Sequence, residues 1–165
     1  SDAGVNIRPD LDAKARIVNN TVRVAQAVGL EAPKVALLSA VETINKAMPS
    51  TLDAAALKRM GERGAFGSAV VDRPMALDAA LLPQSAQTKG LRGGVAGHAD
   101  VLILDDIEAA NSTAKALIGA DGDAMGVIVG ASRVVAFPSR GDSPRTRMQS
   151  LMLAAFLAVV NDAAT

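Results

Sequence analysis

Cysteine, tryptophan and tyrosine are absent from the 165 residues, and histidine occurs once. Without cysteine there can be no disulfide framework, zinc knuckle or iron–sulfur site, and a single histidine argues against a catalytic zinc centre. Three phenylalanines are too few to build a base-stacking platform. Charge of one sign is missing too: 17 basic residues balance 17 acidic ones, so the chain lacks the basic footprint of a nucleic-acid binder. The longest uncharged apolar run, Leu151 to Val160, is about half of the ~20 residues that a bilayer span requires. The opening Ser1-Asp2-Ala3-Gly4 has neither a basic nor an apolar leader character. Neither nucleic acid nor membrane is therefore an expected partner, and the expected compartment is the cytoplasm.

What is present reads as a globular chain, 50% hydrophobic and 21% charged, of a length that suits one domain over residues 1–165. Short apolar runs alternate with longer amphipathic ones. A helix is expected from Asp10, its N-cap, to Gly29, with Leu11, Ala15, Val18, Val22 and Ala25 as its apolar stripe. Strands are expected over Lys34–Ser39, Ser68–Asp72 and Asp100–Asp105. Between them lie a helix from Leu52 to Met60 opened by Ser50 and Asp53, a short helix from Met75 to Leu82, and a glycine-rich loop from Lys89 to His98. Glu108 to Ile118 reads as another helix, ended by Gly119. Gly126–Val129 and Val134–Phe137 read as a hairpin around Gly130, and Ser143-Pro144 opens a last helix that ends near Val160. Fully apolar strands separated by helices predict an α/β fold of three layers (α/β/α), its mainly parallel sheet made mixed by the hairpin.

The last helix is apolar all round. Met148, Leu151, Met152, Ala155, Phe156 and Val159 form one face, while Leu153, Ala154, Leu157, Ala158 and Val160 cover the rest. Such a helix is buried on more than one side. The expected cover is a partner subunit or a further piece of the same protein.

Familiar nucleotide fingerprints fail. Gly90, Gly93, Gly94 and Gly97 are spaced wrongly for a dinucleotide turn, and no P-loop lysine follows a glycine pair. His98 has no recognisable serine partner and reads as a loop residue. The segment Pro138 to Arg147 stands out. It leaves a strand, turns at Gly141 and enters a helix whose first amides can attract anions. Arg140 supplies a planar fork suited to phosphate, Ser139 a hydroxyl beside it, and Arg133, Arg145 and Arg147 make the stretch basic. It reads equally as a phosphate-binding turn or as a capped helix with solvated arginines. A second candidate is the helix after the third strand, where Asn111 and Lys115 project from one face near the strand end at which open α/β sheets bind ligands. Asp72 and Asp78 flank Pro74 after the second strand, free to bond loop amides or to touch a substrate.

At these residues the chain resembles the C-terminal half, or second domain, of the phosphate acetyltransferase and phosphate butyryltransferase family, on its butyryltransferase-like branch. The resemblance runs in order through Ser1-Asp2-Ala3, Pro9-Asp10-Leu11, Pro33-Lys34-Val35-Ala36, Met48-Pro49-Ser50-Thr51, Asp72 with Pro74 and Asp78, Val95-Ala96-Gly97, Glu108 with Asn111 and Lys115, and Ser139-Arg140 with Asp142-Ser143. It implies acyl transfer between coenzyme A and inorganic phosphate, the thiol attacking an acyl phosphate directly without an acyl-enzyme. Ser139 and Arg140 match the family's catalytic pair. Asn111, Lys115, Asp142, Ser143 and Asp72 are the implied substrate-binding residues, with no metal and no tightly bound cofactor. The implied ligands are coenzyme A or acyl-CoA, acyl phosphate and phosphate, and the implied assembly is a homodimer. Many acetyltransferase members carry an aspartate seven residues after the serine as the base for the thiol, where this chain has Thr146, and Asp142, nearer the serine, is the candidate substitute. The resemblance also implies that the final helix, residues 144–162, packs on a first domain that lies outside this sequence, and that the domain is inactive alone. A noncatalytic acyl-CoA-sensing or assembly module derived from the same family is the alternative.

Overall fold

Asp10 accepts a hydrogen bond from the Ala13 amide at 2.8 Å, and the capped chain winds into α1 (Leu11–Ala27). Gly29, at φ +103°, then turns it away. β1 (Lys34–Leu38) follows, then α2 (Pro49–Glu62), β2 (Val70–Met75), the short helices α3 (Leu77–Leu81) and α4 (Pro83–Thr88), β3 (Val101–Ile103) and α5 (Ile107–Gly119). A hairpin of β4 (Val127–Ile128) and β5 (Val135–Ala136) leads to α6 (Pro144–Ala163). This computed structural model describes residues 1–163. They form two compact units, residues 1–112 and residues from 113 onward, the division falling within α5.

In the first unit three parallel strands lie in the order β2-β1-β3. β1 is central and buried on both faces, which is why its sequence is apolar without alternation. Val35 and Leu37 join a core with Val18 and Val22 of α1 and Ala54 and Leu57 of α2. Ala36 and Leu38 point the other way, into a core with Ala79 and Ala80 of α3 and Val95 of the glycine-rich loop. That gives three layers.

β2 runs further than the pattern predicts, because a bulge resets its faces. Two steps of β1, from Val35 to Leu37, match three steps of β2, from Val71 to Pro74. Val71 therefore faces the α1 core and Met75, four residues on, the α3 core. Asp72, expected as the last residue of its strand, consequently lies inside β2, and Asp78 lies in α3, within the span of the expected helix. The expected helix from Met75 to Leu82 starts later and stops at Leu81, and Pro83 opens α4, which the apolar pattern does not reveal. Ser50 is not a helix cap either. Pro49, with its fixed φ, occupies the first helical position, and the Ser50 hydroxyl lies 3.0 Å from that of Ser39.

The glycine-rich loop is exposed over its first half and packed down at its end. Val95, Ala96 and Gly97 are buried, and the Gly97 amide donates to the Ala79 carbonyl at 2.8 Å.

In the second unit β4 and β5 pair antiparallel, Val127 with Ala136 and Ile128 with Val135, as the hairpin pattern predicts. Among the described residues the hairpin is a separate two-stranded sheet and does not add the antiparallel strand expected in the main sheet. Two residues on each side are all that pair. Ser143 caps α6 by accepting from the Thr146 amide at 3.1 Å, with Pro144 as its first residue. α6 packs on both hairpin strands. Ser150, Ala154 and Leu157 form its buried stripe, and the Ser150 hydroxyl accepts from the Gly126 amide at 3.0 Å while donating to the Thr146 carbonyl at 3.0 Å. The opposite side is bare: Met148, Leu151, Met152, Phe156 and Val159 are between 47% and 70% exposed. No helix among the described residues is long and apolar enough to cross a membrane.

Candidate active site

The turn between β5 and α6 is built from its own backbone. Ser139 and Asp142 clamp it from both sides: the Ser139 amide donates to the Asp142 carboxylate at 2.6 Å, and the Asp142 amide donates to the Ser139 carbonyl at 3.1 Å. Gly141 lies between them, where a Cβ would meet no atom within 4 Å. Arg147, in the first turns of α6, reaches back with Nη2 to the Arg140 carbonyl at 2.8 Å. Ser143 is occupied as the cap, and its Oγ also lies 3.0 Å from the Thr146 hydroxyl.

Two features of this turn are chemical. Lys115, on α5, donates through Nζ to the Ser139 hydroxyl at 3.0 Å. An ammonium cannot accept, so the Ser139 hydroxyl hydrogen remains free to donate elsewhere. Arg140 is exposed, and among the described residues its guanidinium has no partner. Its neighbours are committed: Arg147 to the Arg140 carbonyl, and Arg145 to Asp123 at 3.5 Å in an exposed pair. A lysine, a serine hydroxyl and, next to that serine in the chain, a guanidinium with no partner among the described residues are groups of the kind that bind anions.

Lys115, Ser139 and Asp142 thus form one hydrogen-bonded set in the second unit, and Arg140 and Ser143 are joined in another through Arg147. The other two residues of sequence interest lie in the first unit. Asn111 donates its side-chain amide to the Ala3 carbonyl at 3.0 Å. Asp72 is buried, and its Oδ1 accepts from Lys58 Nζ at 3.1 Å and from the Arg73 amide at 2.7 Å. Among the described residues no group of three or more His, Asp or Glu side chains is placed to hold a metal.

One cluster escapes the sequence reading. Lys14 is only 5% exposed, and its ammonium is bonded to Asp53 at 2.6 Å and to Asp105. Burial pushes the Lys14 ammonium down, but its bonds to Asp105 and Asp53 outweigh that and hold it above the ordinary lysine value. The three residues line a notch of about 210 Å³, counted with its open mouth, beside Leu37, Leu38 and Ile103. This is the carboxyl end of β1 and β3, where the strand order reverses and open α/β sheets commonly receive ligands. The readable signal is Lys14 itself, a charge three positions after Leu11 and four before Val18 on the apolar stripe of α1.

The chain is similar to known proteins over nearly its whole length. The model of the family described as phosphate acetyl/butaryl transferase matches residues 1–155. A phosphate butyryltransferase of Clostridium acetobutylicum is 48% identical over 96% of the chain and 53% of its own length. A phosphate acetyltransferase of Rhizobium meliloti is 45% identical over 99% of the chain and 52% of its own length. The crystal structure of a branched-chain phosphotransacylase from Enterococcus faecalis V583 superposes with a TM-score of 0.86 at 34% identity, over 95% of the chain and 56% of that protein. The chain spans about half the length of the curated relatives it matches.

Proposed function

The chain belongs to the phosphate acetyl/butaryl transferase family, and from that premise we propose that it supplies one half of an acyltransferase that moves a short acyl group, acetyl or butyryl, between coenzyme A and inorganic phosphate. The observation that carries this reading is the pairing of the Ser139 hydroxyl with Lys115 beside the unpaired guanidinium of Arg140. In the proposed reaction the coenzyme A sulfur attacks the carbonyl of the acyl phosphate. A C–S bond forms and the C–O bond to phosphate breaks, the phosphate leaving with the electron pair. The thiol proton passes to water or to the released phosphate.

This chain's groups act on charge and position. Arg140 neutralises the phosphoryl oxygens in a bidentate contact, and Ser139 donates its free hydroxyl hydrogen to the acyl phosphate. Lys115 holds that hydroxyl and adds positive charge. Holding both substrates together supplies proximity. The exposed side of α6, with Met148, Met152 and Val159, packs in this reading on the other half of the enzyme, and the 165 residues alone are inactive. The working enzyme is cytoplasmic and dimeric.

One observation favours a second reading, a noncatalytic acyl-CoA-sensing or assembly module. Thr146 places no carboxylate beside the turn, and its hydroxyl is engaged with Ser143 at 3.0 Å. Arg140→Ala in the full-length protein separates the two. Loss of turnover between acyl phosphate and coenzyme A supports the transferase; a change confined to acyl-CoA affinity, with no turnover in the unaltered protein, supports the module.

A further inference from the structure

The Ser139–Arg140 turn contains one carboxylate, Asp142, and its geometry decides what that carboxylate does. Its Oδ2 takes the Ser139 amide at 2.6 Å, the shorter of the two bonds between these residues, while its own amide returns to the Ser139 carbonyl at 3.1 Å. That oxygen is occupied by a backbone N–H. It is well disposed to fix a backbone. Arg147 adds a third point of attachment through the Arg140 carbonyl at 2.8 Å. The turn is therefore held at the amide and carbonyl of Ser139 and at the carbonyl of Arg140. Those are the groups that set where the Ser139 and Arg140 side chains leave the backbone.

The geometry assigns Asp142 and Arg147 as positioning residues that preorganise the Ser139–Arg140 pair, Asp142 acting as a hydrogen-bond acceptor and not as a base. This rests on the transferase reading above. Preorganised donors act because their direction is fixed before the reaction, so loosening the clamp lowers the rate without removing any group that touches substrate.

Asparagine keeps an acceptor oxygen at this position and gives up the charge, which separates the two roles. In the full-length protein, Asp142→Asn retains kcat within about fivefold of the unaltered enzyme, whereas Asp142→Ala lowers it about 100-fold, the scale of one misdirected donor. Arg147→Ala lowers kcat in the same direction. With serine 15N-labelled, the Ser139 amide resonance moves strongly upfield in Asp142→Ala and much less in Asp142→Asn. Circular dichroism establishes that each variant is folded. Asp142→Asn as inactive as Asp142→Ala overturns the assignment, because the charge itself is then required; so does an unmoved Ser139 amide in Asp142→Ala. An unaltered enzyme without phosphate–coenzyme A acyl transfer, or an Arg140→Ala variant as fast as the parent, overturns the transferase reading instead, and the amide resonance still reports on the clamp.

Discussion

Lys115 and Ser139 meet across 3.0 Å, the ammonium of the lysine donating to the serine hydroxyl. Twenty-four residues separate them in the chain. The bond fills one lone pair of the hydroxyl and leaves its hydrogen available to donate. Lys115→Met removes that constraint and one positive charge, and it is expected to lower kcat/KM for acyl transfer about 100-fold in the full-length enzyme. Lys115→Arg keeps the charge and restores part of the loss. Because Lys115 is exposed, the thermal midpoint should shift by no more than about 0.5 kcal/mol equivalent. Steady-state rates beside circular dichroism melts check both halves, and an undiminished rate in Lys115→Met would remove the lysine from the site.

Gly97 and Gly94 lie in the same loop and make opposite demands. Gly97 sits at φ +78°, and a Cβ there would come within 2.6 Å of the Pro83 Cα, a backbone atom that cannot swing aside. Gly97→Ala therefore combines a left-handed residue with a steric overlap and is expected to cost at least about 2 kcal/mol. Gly94 has open space around its Cα, so Gly94→Ala should stay within about 0.5 kcal/mol. Denaturant midpoints of the two variants measure the contrast. A Gly97→Ala variant as stable as Gly94→Ala would mean that the loop does not pack against Pro83.

How much of this is legible without coordinates depends on the kind of signal. The Asp10 cap, the central strand and the Ser143-Pro144 start of α6 are local, set by residue types within one turn, and the structure has them where the pattern predicts. The β2 bulge is not local. It appears only when Val71 and Pro74 are matched to the spacing of Val35 and Leu37 on a neighbouring strand. The same holds for the candidate site. Ser139 and Arg140 announce themselves by type and position before a helix, while the partners of Ser139, Lys115 at 3.0 Å and Asp142 at 2.6 Å, depend on a fold-level approach or on which carboxylate oxygen faces an amide. Lys14 is a charge on an apolar stripe that the sequence reading passes over, and its pairing with Asp53 and Asp105 needs the fold.

Lys89 ties the start of the glycine-rich loop to two carboxylates, Glu42 at 2.9 Å and Asp78 at 2.8 Å. The Lys89 bond holds the Glu42 carboxyl below its ordinary value of 4.5, and likewise holds Asp78 below 3.8. For a depressed carboxyl the stabilisation is present above the unfolded value and is lost as pH falls through the folded one. The latch should thus loosen only below about pH 4.5. Amide exchange of residues 90–97 is expected to accelerate over that window, after correction for intrinsic rates. Lys89→Met removes the partner and should leave exchange fast and insensitive to pH in the same interval. Identical profiles in both proteins would show that the loop is held by its Val95 and Gly97 packing alone.

Lys14 presents the opposite sign. Its ammonium is raised above 10.5 by Asp105 and Asp53, so its contribution is complete below that pH and disappears as pH climbs through the folded value. Lys14→Met keeps most of the stem's volume but leaves two carboxylates facing each other without a cation. Breaking a buried pair costs about 3–5 kcal/mol, and here the cost is reduced because Asp53 and Asp105 are 28% and 39% exposed at the side chain. A loss of about 2 kcal/mol at neutral pH is expected, followed by far-UV circular dichroism since tryptophan and tyrosine are absent. Adding Asp53→Asn and Asp105→Asn to Lys14→Met should recover much of it, because the remaining groups are then neutral. Above pH 10.5 the unaltered chain should lose stability faster than Lys14→Met, and the two midpoints should converge. A Lys14→Met variant as stable as the parent at neutral pH would mean that the notch at the carboxyl ends of β1 and β3 is held closed by Leu37, Leu38 and Ile103 without the ammonium.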